Sequence, residues 1–441
     1  MRQLSERALK DEVVGLARDL LRVDTSNPPG GETPAALVLR DYLTAAGITV
    51  ELVARRPERA NLIARLSGSG GGPSLALMGH TDVVPAGDPA GWTRGPFSGD
   101  IDDDGYLWGR GALDMKNEVA SRAVALAVLA RSGFRPKGDI VFIAQADEED
   151  GTEQVGLAWL RHERPDLACD YALDEGGGRR MQLADGRVVV TLDVGSKATL
   201  PVLLTALGRG GHASVPPDDS AVLRLAILID RLGRYRPGAV LTPENRRMLE
   251  LLVGPLNGEL DPALARARAL HPWLGGTLDA RLRTTIAPTR LWGAPARNVV
   301  PSRASVECDC RVLPGWTQAL LTEQMQEALG DDIPYELEFL EPPTGGTSSP
   351  TDTPLYGICQ QFLDHHDPGT VLLPTIGTGF TDSHFMRESF GTVAYGICPL
   401  RHSDESVHKT EHAENERIHV DDLLYGTQFH LYVTEHLTGA V

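Results

Sequence analysis

The sequence predicts an α/β protein: a larger domain with a mixed, largely parallel sheet flanked by helices, and a second, smaller α+β domain. Three observations support this class. The chain has 441 residues, which exceeds the roughly 250 to 300 residues at which a single hydrophobic core stops growing. Apolar strand-like runs alternate with helical patterns up to about Val194, as in βαβ units. The pattern then changes, which predicts a different kind of domain.

The elements of the first domain follow from hydrophobic periodicity in chain order. Helical spacing predicts helices at the N-terminus, at Pro34 to Ala46 and at Asn117 to Arg131. Short apolar runs bounded by polar residues predict strands at Ile48 to Val53, Asn61 to Leu66, Ser74 to Met78, Asp139 to Gln145 and Asp170 to Leu173. Several acidic and His residues directly follow these strands, where open α/β sheets place their sites.

The second domain has a different order of elements. Strands are predicted at Lys197 to Ala206, Thr284 to Leu291, Ala304 to Val312 and Tyr335 to Leu340, with helices at Ser220 to Leu232 and Thr317 to Leu329. The loop PPTGGTSSPTDTP then marks a return to the first domain. The predicted boundaries are therefore 1–193 and 342–441 for the first domain and 194–341 for the second.

Charge and composition exclude several classes of function. Lys and Arg number 42 against 60 Asp and Glu, a net charge of −18, which argues against nucleic acid and anionic membranes as partners. No apolar run approaches the roughly 18 residues that a spanning helix needs, and the N-terminus lacks the apolar region of a signal peptide. The five scattered cysteines suit a reducing compartment. The sequence thus predicts a cytoplasmic protein.

Two motifs of the first domain each offer a candidate metal ligand. In Gly79-His80-Thr81-Asp82, an apolar strand delivers His80, and Asp82 falls on the same side of the chain. Metal-bound imidazoles typically give their second N–H to a carboxylate, although a structural ion pair also explains a lone His-x-Asp. Asp114 follows Gly109-Arg110-Gly111 and precedes a helix, so it is either a ligand or a helix cap.

Three further motifs place acids at strand ends or a His in a polar loop. They are Asp147-Glu148-Glu149-Asp150, Asp174-Glu175 and Glu411-His412. A solvated charge run, a tight turn and an exposed loop residue are the respective alternatives. Together, however, two His and several carboxylates at successive strand ends supply what two cations need, because zinc takes imidazole nitrogen and carboxylate oxygen.

These motifs, in this order, resemble the zinc metallohydrolase family that includes aminoacylase, acetylornithine deacetylase, succinyl-diaminopimelate desuccinylase and carboxypeptidases of the G and S types. The resemblance runs from about Val14 to Tyr432 and rests on GHTDVVP, GRGALDMK, ADEEDG and HAENERI. It implies that the smaller domain is an inserted lid and dimerisation domain, and that the protein is a homodimer.

The resemblance also implies roles for individual residues. His80 and Glu175 hold one zinc, Glu149 and His412 hold the other, Asp114 bridges both, and Asp82 orients His80. Asp174 is the alternative to Glu175, since both are acids. Glu148 matches the general base, which takes a proton from the attacking water and passes it to the leaving nitrogen.

In the lid, Gly208 to Ser214 resembles the motif whose His, here His212, stabilises the oxyanion, in relatives at the other protomer's site. Asn298 and Arg311 match positions that contact substrate. Arg311 suits a carboxylate, with a salt bridge to Asp309 as the alternative. Gly379 and Thr381 belong to the segment that corresponds to the family's loop near the substrate carboxylate.

The prediction is a hydrolase with two Zn²⁺ per chain, for which Co²⁺ or Mn²⁺ can substitute. It cleaves the amide bond of N-acyl amino acids or short peptides with a free carboxylate. The segments TTIAPT and DCRVLPG look most like the carboxypeptidase S and N-acyl-amino-acid hydrolase branch. The alternatives are a biosynthetic deacylase of the acetylornithine or succinyl-diaminopimelate type, a non-catalytic binding relative, and a protein with a single metal.

Overall fold

A computed structural model describes residues 5–439 of the chain. The chain forms two compact units. Unit 1 comprises Met1–Val194, Ser349–Thr375 and Thr381–Val441, and unit 2 comprises Gly195–Ser348 and Ile376–Phe380. Within the described residues, no helix combines the length and the hydropathy that a membrane crossing requires.

The helices, in chain order, are α1 (Glu6–Leu21), α2 (Thr33–Ala45), α3 (Lys116–Ser132), α4 (Leu157–Glu163), α5 (Ala221–Arg234), α6 (Pro243–Val253), α7 (Leu260–Leu270), α8 (Pro272–Leu282), α9 (Gln318–Leu329), α10 (Pro354–His366), α11 (Ser383–Phe390), α12 (Glu405–His408) and α13 (Val420–Thr438). The strands are β1 (Thr49–Ala54), β2 (Ala60–Leu66), β3 (Leu75–His80), β4 (Asp100–Ile101), β5 (Tyr106–Trp108), β6 (Ile140–Gln145), β7 (Tyr171–Asp174), β8 (Arg180–Gln182), β9 (Val188–Ser196), β10 (Ala198–Thr199), β11 (Val202–Leu207), β12 (Gly211–His212), β13 (Thr285–Trp292), β14 (Val299–Val300), β15 (Arg303–Val312), β16 (Tyr335–Phe339), β17 (Thr370–Gly377), β18 (Val393–Gly396) and β19 (Arg417–His419).

The large sheet has the order β1-β2-β6-β3-β7-β18-β9-β17, with β8 paired to β9. Its centre is parallel, since β3 runs parallel to β6 and β7, and β18 runs parallel to β7. Towards one edge β1, β2 and β6 pair antiparallel, and β9 is antiparallel to β18. This mixed sheet confirms the predicted α/β class.

The centre of the sheet is covered on both faces. Every residue of β3 and of β6 is buried, as is typical of parallel strands that lie between layers of helices. Helix α3 is also buried along most of its length and packs against α1, α13 and β3. The chain segments that follow β3, β6 and β7 are therefore held at one edge of a rigid sheet.

Unit 2 is built on an antiparallel sheet in the order β10-β15-β11-β16, with β13 paired to β15. Burial alternates strictly along β15, because one face packs on the core of unit 2 under α5 and α9 while the other does not. Helices α6, α7 and α8 pack in sequence. The buried Lys197 ammonium ties this helical segment to the sheet by donating to the carbonyl oxygens of Ala280 and Arg283 at 3.0 and 2.9 Å.

Candidate metal centre

The centre lies in unit 1, where the carboxyl ends of β3, β6 and β7 meet. His80 is the last residue of β3, the segment after β6 carries Glu148 and Glu149, and Glu175 follows β7 directly. The loop before α3 brings in Asp114, and the loop before β19 brings in His412. Because β6, β3 and β7 are neighbours in the sheet, residues distant in sequence converge on one point.

Asp114 is the common partner of both histidines. Its Oδ1 lies 3.0 Å from His80 Nε2, and its Oδ2 lies 2.9 Å from His412 Nε2. Each imidazole nitrogen also faces one glutamate: His80 Nε2 is 3.4 Å from Glu175 Oε2, and His412 Nε2 is 3.3 Å from Glu149 Oε2. Two donor sets, each with a nitrogen and two oxygens, thus share Asp114.

These donor sets fit divalent cations. Ligand bonds of about 2.0 to 2.2 Å in a tetrahedral arrangement place neighbouring donor atoms about 3.4 Å apart, close to the separations between His80 or His412 and their carboxylates. Donor atoms of His80, Asp114 and Glu149, and likewise of His80, Glu148 and Glu175, lie within 4.8 Å of one another. Of the two acids after β7, Glu175 faces His80, whereas Asp174 accepts hydrogen bonds from the main chain and hydroxyl of Ser383.

The electrostatics of the cluster point to the same conclusion. Burial raises the pKa of Glu175 to about 8, and burial together with the charge of Glu175 raises the pKa of Glu148 well above its usual range. Hydrogen bonds to Asp114 and Glu149 raise the pKa of His412 to about 11. So many acids in one buried group repel each other, and a bound cation offsets that repulsion.

Asp82 organises the segment that carries the two glutamates. Its carboxylate accepts from the main-chain N–H of Glu148 at 3.3 Å and of Glu149 at 3.1 Å, and from the side chain of Asn27 at 2.9 Å. The acceptor nearest to His80 Nδ1 is the main-chain carbonyl of Asp82 at 2.9 Å, whereas the carboxylate is 3.6 Å away. Asp82 therefore holds His80 through its backbone and the glutamates through its side chain.

A second layer of buried charges supports this segment. Arg59 donates to both carboxylate oxygens of Glu32 at 2.6 Å and to Asp147 at 3.2 Å. Asp147 has a φ of 63°, and His412 has a φ of 57°, a left-handed conformation that costs free energy outside glycine and that clusters at functional sites. The Arg59 contact thus helps to fix a strained residue immediately before Glu148.

Glu416 joins the loop of His412 to the loop of Asp114. Its fully buried carboxylate pairs with Arg110 and accepts from the main-chain N–H groups of Gly111, Leu113 and Asp114 at 3.1, 2.7 and 3.1 Å. Sequence analysis did not single out Glu416, although it belongs to the HAENERI segment. Its separation of about 300 residues from Asp114 gave no local signal.

The remaining predicted residues occupy other places. His212, Asn298, Arg311 and Gly379 lie in unit 2, and Thr381 lies in unit 1. Within unit 2, β12 pairs with β14, and the carbonyl of Asn298 accepts from Ala213 N at 3.0 Å, so His212 and Asn298 are close together. The guanidinium of Arg311 forms a bidentate pair with Asp309 at 2.7 and 3.1 Å, the alternative that the sequence left open. The roles of these residues stay predictions.

Residues 76–436 match the profile of Peptidase family M20/M25/M40. The chain is 29% identical over 432 residues to the succinyl-diaminopimelate desuccinylase of Methylorubrum populi, covering 93% of this chain and 94% of the relative. It is 30% identical over 424 residues to that of Methylobacterium sp. (strain 4-46), covering 93% and 92%.

Solved structures share the fold over almost the whole chain. The M20 family metallo-carboxypeptidase Sso-CP2 from Sulfolobus solfataricus superposes with a TM-score of 0.71 at 19% identity, covering 98% of this chain and 100% of that one. The Bacillus subtilis YXEP protein, a dinuclear metal-binding peptidase, superposes with a TM-score of 0.62 at 14% identity, covering 99% and 100%. The chain therefore belongs to Peptidase family M20/M25/M40 and is a metal-dependent amidohydrolase.

Proposed function

We propose that the chain uses two zinc ions to hydrolyse the amide bond of N-acyl amino acids or short peptides that carry a free carboxylate. The observation that carries this proposal is the position of Asp114, whose two oxygens lie 3.0 and 2.9 Å from the two histidines. Each of these histidines also faces its own glutamate. Such a shared carboxylate is the arrangement that a pair of metal ions requires.

His80, Asp114 and Glu175 hold one ion in this proposal, and Glu149, Asp114 and His412 hold the other. When bound, such ions lower the pKa of water and polarise a carbonyl oxygen. The donor set of imidazoles and carboxylates suits zinc, although cobalt and manganese accept the same ligands. The dinuclear metal-binding peptidase among the structural neighbours supports two ions.

Glu148 acts as the general base and acid. Its carboxylate lies within 4.8 Å of the donor atoms of His80 and Glu175, beside the metal ligands. Its pKa is raised well above the usual range by burial and by Glu175, and a carboxylate of this kind can take a proton from water and return it to a leaving nitrogen near neutral pH. His212, Asn298, Arg311, Gly379 and Thr381 bind substrate or stabilise the oxyanion in this proposal.

A second candidate is a succinyl-diaminopimelate desuccinylase. The curated relatives reported above carry this name and match over more than nine-tenths of both chains. The reaction is the same hydrolysis of an amide, so the metal centre serves either substrate. What separates the two candidates is substrate selectivity, which a substrate panel measures.

We also propose that the protein is a cytoplasmic homodimer. Five free cysteines, all of them buried, support a reducing compartment. The outer face of α5 exposes Val222, Leu223 and Ile227, and the edge strand β13 exposes Leu291 and Trp292. Apolar side chains that share one helix face or a free strand edge favour association with a second copy.

The experiment that tests the proposed reaction compares wild type with Glu148→Gln. Zinc-loaded protein is assayed on N-acyl amino acids, dipeptides and N-succinyl-diaminopimelate, and bound metal is counted. We expect the variant to keep about two metals per chain and to lose at least about 100-fold in kcat, the range of general acid–base catalysis.

Glu163→Gln is the matched control, because Glu163 is an exposed acid at the end of α4. It should hydrolyse the panel at the wild-type rate. Turnover of Glu148→Gln within a few-fold of wild type would remove Glu148 as the base. A wild-type protein that hydrolyses only N-succinyl-diaminopimelate would establish the second candidate instead of the first.

A further inference from the structure

A small polar cavity adjoins the metal centre within unit 1. It has a volume of about 100 Å³ and is entered beside Asp114 and Glu175. Its wall is completed by Asn117 and Glu118 of helix α3 and by His408 and Glu411, which lie ahead of the ligand His412. None of the last four residues has a part in the proposed reaction.

Two polar atoms in this wall are unsatisfied. Asn117 is 4% exposed, and within residues 5–439 neither its Oδ1 nor His408 Nε2 has a hydrogen-bond partner, although both atoms are buried. Leaving a buried polar atom without a partner costs about 1 to 3 kcal/mol. Such atoms in a native fold are commonly completed by water or by a ligand.

The geometry of α3 decides which kind of ligand is complementary. The start of a helix attracts anions only when its N–H groups are free. Here the N–H of Lys116 donates to Gly111 O at 2.9 Å, and those of Glu118 and Val119 donate to Met115 O at 3.0 and 3.1 Å. The atom that this turn offers to the cavity is instead the acceptor Oδ1 of Asn117.

The charges of the wall agree. Asp114, Glu118, Glu175 and Glu411 all contribute carboxyl groups, and the first and third are proposed metal ligands. Burial, followed by the charge of Arg179, lowers the pKa of His408 to about 3, so its ring is neutral and adds no positive charge. An unsatisfied acceptor among acids calls for a ligand that donates hydrogen bonds and carries positive charge.

We propose that this cavity is a substrate subsite that binds an ammonium group, with Asn117 as its specificity-determining residue. The inference rests on the proposed function, because it assigns a substrate class to the same centre. A water molecule takes about 30 Å³ in the liquid, so the cavity accommodates an ammonium group with one or two waters. The preferred substrate is therefore an N-acyl amino acid or peptide with a free amine near the scissile amide.

Two matched pairs of compounds test the subsite on either side of the amide. N-acetyl-ornithine and N-acetyl-norleucine differ only in a terminal ammonium against a methyl group on the amine side, and β-alanyl-leucine and butyryl-leucine differ likewise on the acyl side. We expect kcat/KM of wild type to favour the ammonium member of one pair by at least about tenfold, which corresponds to one charge-assisted hydrogen bond.

Asn117→Leu should bring that ratio to about one, because the substitution removes the acceptor and lines the cavity with an apolar side chain. Asn117→Asp, nearly identical in shape, should keep or raise the ratio and shows whether the position tolerates substitution. Asn257→Leu is the matched control on an exposed loop of unit 2 and should leave the ratio unchanged.

Ratios near one for both pairs in wild type would show that the cavity holds water only and overturn the proposal. A preference that survives in Asn117→Leu would overturn it as well. If no compound is hydrolysed, the proposed function fails, and calorimetric binding of the same pairs to metal-loaded wild type decides the subsite separately. A tenfold tighter binding of the ammonium member supports it, and equal or absent binding rejects it.

Discussion

At the scale of single residues, Arg122 is the buried cation that ties two central strands together. Its guanidinium donates to the main-chain carbonyls of Met78 and Asp174, and to the side chains of Glu118 and His430. Met78 precedes the ligand His80 by two residues, and Asp174 directly precedes the ligand Glu175. Arg122 therefore sets the spacing between two strands that carry proposed ligands of the same ion.

Replacement of Arg122 by Met should lower both stability and metal affinity. The substitution leaves Glu118 as a buried acid without its partner, which costs about 3 to 5 kcal/mol in the free energy of unfolding. Second-shell losses of this kind also weaken metal binding by roughly 10- to 100-fold. Denaturant unfolding and calorimetric titration with Zn²⁺ measure the two effects.

Arg131→Met, on the same helix but in a largely exposed pair with Glu12, is the control and should change the free energy of unfolding by less than about 1 kcal/mol. Equal zinc affinity in Arg122→Met and wild type would contradict the positioning role.

The sequence supplied the residues of the centre but not all of their contacts. His80, Asp114, Glu149, Glu175 and His412 were selected from short motifs because each follows an apolar strand or lies in a polar loop, and the structure brings them together. The contacts of Arg122 and Glu416 could not be predicted. Their partners lie up to about 300 residues away, and only the finished fold makes them neighbours.

At the scale of elements, the short strand β19 and the loop before α3 form one mechanical piece through Glu416. Three main-chain N–H groups and Arg110 donate to this single carboxylate. No other side chain has this combination of full ionisation and four acceptor sites. The position of Asp114, which the proposal makes the shared ligand, depends on it.

Glu416→Gln should disturb that loop, because one carboxylate oxygen becomes an NH₂ group that faces N–H donors. We expect the free energy of unfolding to fall by about 1 to 3 kcal/mol for the unsatisfied groups, and the affinity for both metal ions to fall together, since both use Asp114. Metal titration followed by absorbance of Co²⁺ separates the two binding steps. Loss of one ion with the other unaffected would contradict the role assigned to Glu416.

Several elements were predicted almost to the residue, and the misses have physical reasons. The helix predicted at Asn117 to Arg131 spans Lys116–Ser132, since its apolar spacing is strong over four turns. The single strand predicted from Lys197 to Ala206 is instead two strands, β10 and β11. Pro201 lies in the break and has no N–H to donate to a neighbouring strand. The order of strands in the sheet followed from no local pattern.

At the scale of the whole molecule, metal binding should contribute directly to stability. A ligand that binds only the folded chain at about 100 times its Kd adds about 2.7 kcal/mol per site. We therefore expect the Tm of wild type to fall by several degrees in a chelator and to recover with Zn²⁺. The double variant His80→Ala/His412→Ala should show one Tm under both conditions. A wild-type Tm that ignores the chelator would contradict the metal centre.

The proposed dimer makes a prediction about unit 2. Placing a charge on the exposed apolar face of α5, as in Ile227→Glu, should shift the protein from dimer to monomer, because a buried unpaired carboxylate opposes association. Sedimentation velocity measures the change. Ile101→Glu is the control, since Ile101 is a similarly exposed apolar residue of unit 1. A wild-type monomer, or dimers in both variants, would reject α5 as the interface.

The membership of Ile376–Phe380 in unit 2 matters to anyone who builds chimeras from this family. The main-chain carbonyl of Gly377 accepts from Lys197 N at 3.0 Å, and that of Ile376 accepts from the buried side chain of Arg281 at 2.6 Å. A gene fusion that exchanges Gly195–Ser348 alone separates these partners. A transplant of the unit must therefore carry two cassettes, one long and one of five codons.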